Sequence, residues 1–225
     1  MHGQMVEFQS NGGTTQAYLS LPESGSGPGV IVLQEWWGLV DHIKHIVDRF
    51  AAEGFVALAP DLYHGESTDK PDQAGKLMMA LKIDQVEKDL RGAVDYLTAR
   101  EETTSQGVAT VGFCMGGQLS LYAACANQKV SACVNYYGIH PNVNPDIANL
   151  KAPVMGFFAE KDGFVTPDAV GKLEQQLKDA GKSVDFTIYE GADHAFFNDQ
   201  RPEVYHEAFA QETWTRMLSF FRSNL

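Results

Sequence analysis

Residues 107–120 read Gly107-Val108-Ala109-Thr110-Val111-Gly112-Phe113-Cys114-Met115-Gly116-Gly117-Gln118-Leu119-Ser120, and this stretch decides the fold. An apolar, β-branched run closes on a glycine and a thiol. Two more glycines follow, and then a helix-like segment. This is the pattern of a strand that turns sharply into a helix and presents a nucleophile at the apex. The apex residue of such a turn is backbone-strained, and bulky neighbours would clash where the turn folds against its own helix. Gly112, Gly116 and Gly117 supply the small flanks. A thiol in that position points to covalent acyl chemistry.

Two plainer readings compete. A free cysteine is usually a small buried hydrophobe. That suits Cys125 and Cys133, which sit among Ala and Val, but three glycines around a core residue would only weaken the element. A dinucleotide-binding turn fails on glycine spacing. It fails again at the next strand, which ends in Asn135-Tyr136-Tyr137-Gly138 without an acidic residue for a ribose.

Working outward, apolar strands alternate with helical patterns. A hairpin is expected from Met5 to Gln9 and Thr15 to Leu21, with a turn at Asn11-Gly12-Gly13. Strands are expected at Val30 to Leu33, Phe55 to Leu62, Val108 to Phe113, Val130 to Tyr137, Val154 to Ala159 and Val184 to Tyr189. Helices are expected near 42–53, 73–81, 84–99, after Cys114, at 167–180 and from about 202 to 222. The class is α/β, a mostly parallel sheet covered by helices on both faces. With 225 residues and no linker-like tract, one domain over 1–225 is expected.

Hydrophobic residues make up 44% and charged residues 20%, an ordinary globular balance. A net charge of −12 argues against nucleic acid or an anionic membrane as partner. Three cysteines with no C-x-x-C pair suggest a reducing compartment. Met1-His2-Gly3-Gln4 opens no signal-peptide pattern, so a cytoplasmic location is expected. A monomer or small homo-oligomer acting on a small molecule fits this picture. His42 and His45 are spaced as helix-borne metal ligands could be, but no further ligands surround them, and a solvated helix face is the expected reading. The charged residues of 84–102 read as a salt-bridged helix surface.

In parallel sheets, ligands bind beyond the carboxyl ends of the strands. Four expected strand ends there deliver Glu35, Cys114, Asp162 and His194. The order nucleophile, acid, histidine is that of α/β-hydrolase triads. Cys114 would attack an acyl carbon, His194 would move its proton, and Asp162 would orient the imidazole. Asp193 is the rival acid, disfavoured because adjacent loop side chains rarely point at each other. The oxyanion would be met by the backbone N–H groups of Met115 and Trp36.

Gln34-Glu35-Trp36-Trp37-Gly38, Pro60-Asp61-Leu62-Tyr63, Gly112 to Gly117, Tyr136-Tyr137-Gly138, Glu160-Lys161-Asp162 and Gly191 to Phe196 together resemble the dienelactone hydrolase (carboxymethylenebutenolidase) family. The resemblance runs in order over nearly the whole chain. It implies an α/β-hydrolase fold without a large cap domain, a Cys-Asp-His triad, no cofactor or metal, and hydrolysis of an enol-lactone ester. It also implies that Glu35 pairs with the resting thiol and shifts when substrate binds. Family arginines that grip a substrate carboxylate would fall four residues after His194 and before the helix near 73–81. Asn198 and Lys70 stand there instead. Trp37, Tyr63, Tyr137 and Phe196 would wall the substrate pocket with Asn198 and Lys70. The leading expectation is an ester or lactone hydrolase with a thioester intermediate. A broader carboxylesterase or thioesterase acting on a neutral substrate is the alternative, ahead of a non-catalytic ligand-binding protein.

Overall fold

The computed structural model describes residues 3–10 and 12–225. Its centre is an eight-stranded sheet in the order β1-β2-β4-β3-β5-β6-β7-β8. The strands are β1 (Gln4–Ser10), β2 (Gly13–Ser20), β3 (Gly27–Leu33), β4 (Val56–Pro60), β5 (Thr103–Phe113), β6 (Val130–Tyr136), β7 (Val154–Ala159) and β8 (Val184–Tyr189). From β4 to β8 every neighbouring pair is parallel, while β2 runs antiparallel to β1 and β4. The helices are α1 (Asp41–Ala52), α2 (Pro71–Ala80), α3 (Ile83–Thr98), α4 (Met115–Ala126), α5 (Pro167–Asp179) and α6 (Glu207–Asn224).

The central strands carry long, continuously buried apolar runs because both faces of the sheet are covered. Successive side chains of β3 point to opposite sides. Val30 and Val32 join a core with Ile43, Ile46 and Phe50 of α1 and Trp214 and Met217 of α6. Ile31 and Leu33 join the other core, with Leu90 of α3, Leu119 of α4 and Leu177 of α5. Cys125 and Cys133 are buried there, and burial pushes their thiols up to about 11 and about 12. No helix among the described residues is long and apolar enough to cross a membrane.

Several boundaries differ from the sequence-based expectation. Helix α6 starts at Glu207 rather than near 202. Residues 198–206 instead form turns in which Arg201 N–H donates to Asn198 O (3.1 Å) and His206 N–H to Phe196 O (2.9 Å), and His206 Nδ1 then caps the helix by accepting from Phe209 N–H (3.4 Å). Strand β5 begins five residues early, at Thr103, as an edge whose exposed and half-buried residues alternate. Strand β4 ends at Pro60, short of Leu62. His42 is buried rather than solvated, facing the core beside Phe113, while His45 is exposed. Asp89 departs from the salt-bridged surface of α3: it is fully buried, accepts from Ser10 Oγ and Thr15 Oγ1, and meets His64 Nε2 at 2.9 Å, tying the β1–β2 hairpin to the helix. Met1, His2 and the Asn11 corner of the expected hairpin turn lie outside the described residues.

The β5–α4 turn shows why its glycines are required. A Cβ on Gly112 would stand 1.8 Å from Gly116 O, and one on Gly116 would stand 2.5 Å from both Leu33 O and Gln34 O. These are backbone atoms of α4, of β3 and of the residue that follows it, so no side-chain rotation relieves the overlap. Gly116→Ala is therefore expected to lower the unfolding free energy by about 2 kcal/mol or more, read by urea denaturation. An unchanged denaturation midpoint would contradict the close approach.

Candidate active site

Because β3, β5, β7 and β8 are parallel, the residues that follow them emerge at one edge of the sheet. Glu35, Cys114, Asp162 and His194 all lie there. Cys114 is the residue between β5 and α4, with φ 55° and ψ −124°. Only glycine enters this part of the left-handed half of backbone space without strain. The turn holds the cysteine in it through Cys114 N–H donating to Tyr136 O (3.1 Å) and Gly117 N–H donating to Cys114 O (2.9 Å). The next strand carries a second left-handed residue, Tyr137 (φ 40°). Asn135 supports it from below, donating through Nδ2 to Gly138 O and accepting from Gly138 N–H, both at 2.8 Å.

Asp162 is buried and fully used. Its Oδ1 accepts from the N–H groups of Phe164 and Val165, each at 2.8 Å, and its Oδ2 meets His194 Nδ1 at 2.6 Å. Asp193 is exposed, whereas Asp162 is buried. Burial acts to lower the His194 pKa. The Asp162 hydrogen bond, and then the hydrogen-bonding and charge interaction with Cys114, outweigh it and raise the pKa to about 10. His194 thus sits between Asp162 and Cys114, with its ring 5.0 Å from that of Tyr137 and 5.6 Å from that of Phe164.

Glu35 is 1% exposed, and its Oε2 accepts from Asn198 Nδ2 at 2.8 Å. The resemblance implied a pairing of Glu35 with the resting thiol. In the structure the hydrogen-bond partner of Glu35 is Asn198. The difference follows from residue 198 itself, whose amide is a neutral donor within reach of the carboxylate. Met115 is the first residue of α4, so its N–H has no acceptor within the helix, and it borders the cavity together with Trp36.

That cavity, about 220 Å³, opens over Cys114 and His194. Trp37 and Tyr137 line it, as expected. Four other residues assigned to it from sequence lie elsewhere. Tyr63 is buried beneath it, its hydroxyl 3.3 Å from Met115 Sδ. Phe196 is fully buried behind Tyr137, 5.5 Å away between ring centres. Asn198 is 3% exposed and bound to Glu35. Lys70 precedes the first turn of α2, exposed, with its N–H on Thr68 Oγ1. Met78, Ile139, Phe164 and Val165 supply walls that sequence reading missed, and Arg201 lies among them. The one available signal was position: Phe164 and Val165 directly follow the Asp162-Gly163 turn and had to stay near it.

The raised pKa of His194 carries a sign. Its folded value lies above the ordinary value near ~6.5, so its contribution to stability is complete below that pH and is lost as pH rises through about 10. Unfolding free energy should fall between pH 7 and 10 more steeply in the wild type than in His194→Gln. Equal slopes in urea denaturation across that range would contradict the Asp162–His194–Cys114 coupling.

Comparison with known proteins agrees with this arrangement. A model of the "Dienelactone hydrolase family" matches residues 15–225. Protein usf of Aquifex pyrophilus is 42% identical over 230 residues, covering 99% of each chain. A provisionally named carboxymethylenebutenolidase of Aquifex aeolicus is 38% identical, again over 99% of each chain. Among solved structures, a provisionally named dienelactone hydrolase from Klebsiella pneumoniae superposes with a TM-score of 0.88 at 32% identity, covering 98% of each chain. With a superposable fold and a family match over almost its whole length, the chain belongs to the dienelactone hydrolase family and is a carboxylic-ester hydrolase of the α/β-hydrolase fold.

Proposed function

We propose that the enzyme cleaves a carboxylic ester or lactone through Cys114, His194 and Asp162, with a thioester intermediate. The observation that carries this reading is the 2.6 Å contact of Asp162 Oδ2 with His194 Nδ1 at the cavity that His194 shares with Cys114 at the strained turn. The Cys114 thiolate attacks the carbonyl carbon, forming the C–S bond and moving the carbonyl electrons onto oxygen. The N–H groups of Met115 and Trp36 hold that oxyanion. As the oxyanion collapses, the C–O bond to the leaving group breaks and imidazolium His194 gives its proton to the departing oxygen. Water then attacks the thioester and loses a proton to His194. The acid leaves, the thiolate is restored, and His194 is again an imidazolium. Asp162 remains ionised and holds the ring through Nδ1.

Glu35 is a second, differently placed carboxylate. Its charge is compensated by one neutral amide, in contrast to the three donors around Asp162. A negative charge beside the nucleophile restrains the thiolate, and oxidants attack that form. In this reading Glu35 biases the shared proton back onto the Cys114 sulfur between turnovers, and substrate binding relieves that bias so that the attacking thiolate forms.

Three variants test the assignment with a panel of p-nitrophenyl esters, simple lactones and dienelactone. Cys114→Ala should lose essentially all turnover that wild type shows, and His194→Gln should lose at least ~10³-fold in kcat. Equal turnover by wild type and Cys114→Ala would remove the nucleophile, and no turnover of any compound by wild type would remove the reading as a whole. Glu35→Gln should let iodoacetamide alkylate Cys114 faster than in wild type. An equal rate across pH would remove the restraining role.

A further inference from the structure

The cavity over Cys114 carries an unusual charge balance for an enzyme of anionic compounds. Its walls are apolar on several elements: Trp36 and Trp37 after β3, Met78 of α2, Ile139 after β6, and Phe164 and Val165 after β7. Two charged side chains other than the reacting groups reach it among the described residues, Glu35 and Arg201. Glu35 is a buried carboxylate held by the neutral Asn198 amide. Arg201 is already engaged. Its Nε donates to Glu203 Oε1 at 2.9 Å and its terminal nitrogen lies 2.7 Å from the same oxygen, while the guanidinium rests over the Trp37 ring at 5.9 Å. Apart from the reacting His194, Arg201 is the cation at the cavity among the described residues, and Glu203 engages it, so the charge left without an ionic partner is that of Glu35.

Phe164 adds a second, independent observation. It is 80% exposed, the most exposed of the large apolar side chains in the described residues, and it stands at the mouth of this cavity beside His194. Its backbone cannot drift, because its N–H is bound to Asp162 Oδ1. An aromatic ring fixed in water next to the reacting imidazole gains free energy only when something apolar covers it.

From the charge balance and the exposed ring together we propose that the site selects esters whose acyl portion is apolar and uncharged, that Phe164 is the specificity-determining residue gripping it, and that an acyl carboxylate is rejected. The inference rests on Cys114 being the nucleophile at this cavity. A carboxylate brought in with the substrate would face Glu35 in a partly desolvated space and find no free cation to meet it.

The test is a matched pair of esters, methyl p-nitrophenyl adipate and mono-p-nitrophenyl adipate, which differ by a terminal methyl ester against a carboxylate. Wild type should cleave the neutral ester with kcat/KM at least ~10-fold above the anionic one. Glu203→Gln frees Arg201 and should narrow that ratio several-fold, a shift that a merely structural role for Glu203 would not produce. Phe164→Ala should lower kcat/KM for the neutral adipate about 10-fold while changing p-nitrophenyl acetate much less, because the short acyl group leaves the ring uncovered. Equal or better cleavage of the anionic ester by wild type overturns the inference, as does a Phe164→Ala loss that is the same for acetate and adipate. Cleavage of both adipates by Cys114→Ala at the wild-type rate brings down the nucleophile assignment instead, so the two failures are distinguishable.

Discussion

The backbone of Cys114 is the constraint on which the rest depends. At φ 55° and ψ −124°, the residue occupies a region that costs of order 1–3 kcal/mol for anything but glycine. It persists because neighbours over-determine it. Its N–H is bound to β6, its carbonyl is bound to the first turn of α4, and the glycines at 112, 116, 117 and 138 let the backbones of β3, β5, β6 and α4 approach within the space of a methyl group. The result is a thiol lifted above the sheet edge, with the helix N-terminus and its unpaired N–H groups directly behind it.

Around that fixed point two carboxylates have been given different surroundings. Asp162 is held on both oxygens by two backbone N–H groups and an imidazole, which stabilises its ionised form and orients His194. Glu35 is equally buried but meets one amide. In the proposed mechanism one carboxylate supports the base and the other acts on the field at the nucleophile. The same lack of cationic compensation extends outward to the cavity, where Arg201 is bound by Glu203, so the electrostatics of the thiol and those of substrate choice share one cause.

The sheet and the reactive residues were legible from the chain because parallel strands buried on both faces leave continuous apolar runs, and the residue after each run has one place to go. Val154 to Ala159 and Val184 to Tyr189 are strands at the expected bounds, and Asp162 and His194 follow them to the same edge. The cavity walls were not legible in the same way. Met78, Ile139 and Phe164 come from a helix face and two loops whose approach to Cys114 depends on tertiary packing and leaves no periodic trace. Tyr63 and Phe196 lie close in sequence to wall-forming segments, yet strand and turn geometry points both into the core. Asn198 was assigned to the substrate by its distance from His194, whereas its amide satisfies a buried carboxylate. His42 was read as a surface residue from its spacing, and the amphipathic face of α1 carries it inward.

The central claim is that the bond made in catalysis is a thioester on Cys114. The most direct measurement is intact-protein and peptide mass spectrometry after acid quench within the first turnovers of a slowly deacylated p-nitrophenyl ester. The account predicts one acyl mass per chain, confined to the peptide containing Cys114 and released by neutral hydroxylamine. An acyl group on any other residue, or a burst of p-nitrophenol with no mass added at Cys114, would contradict it.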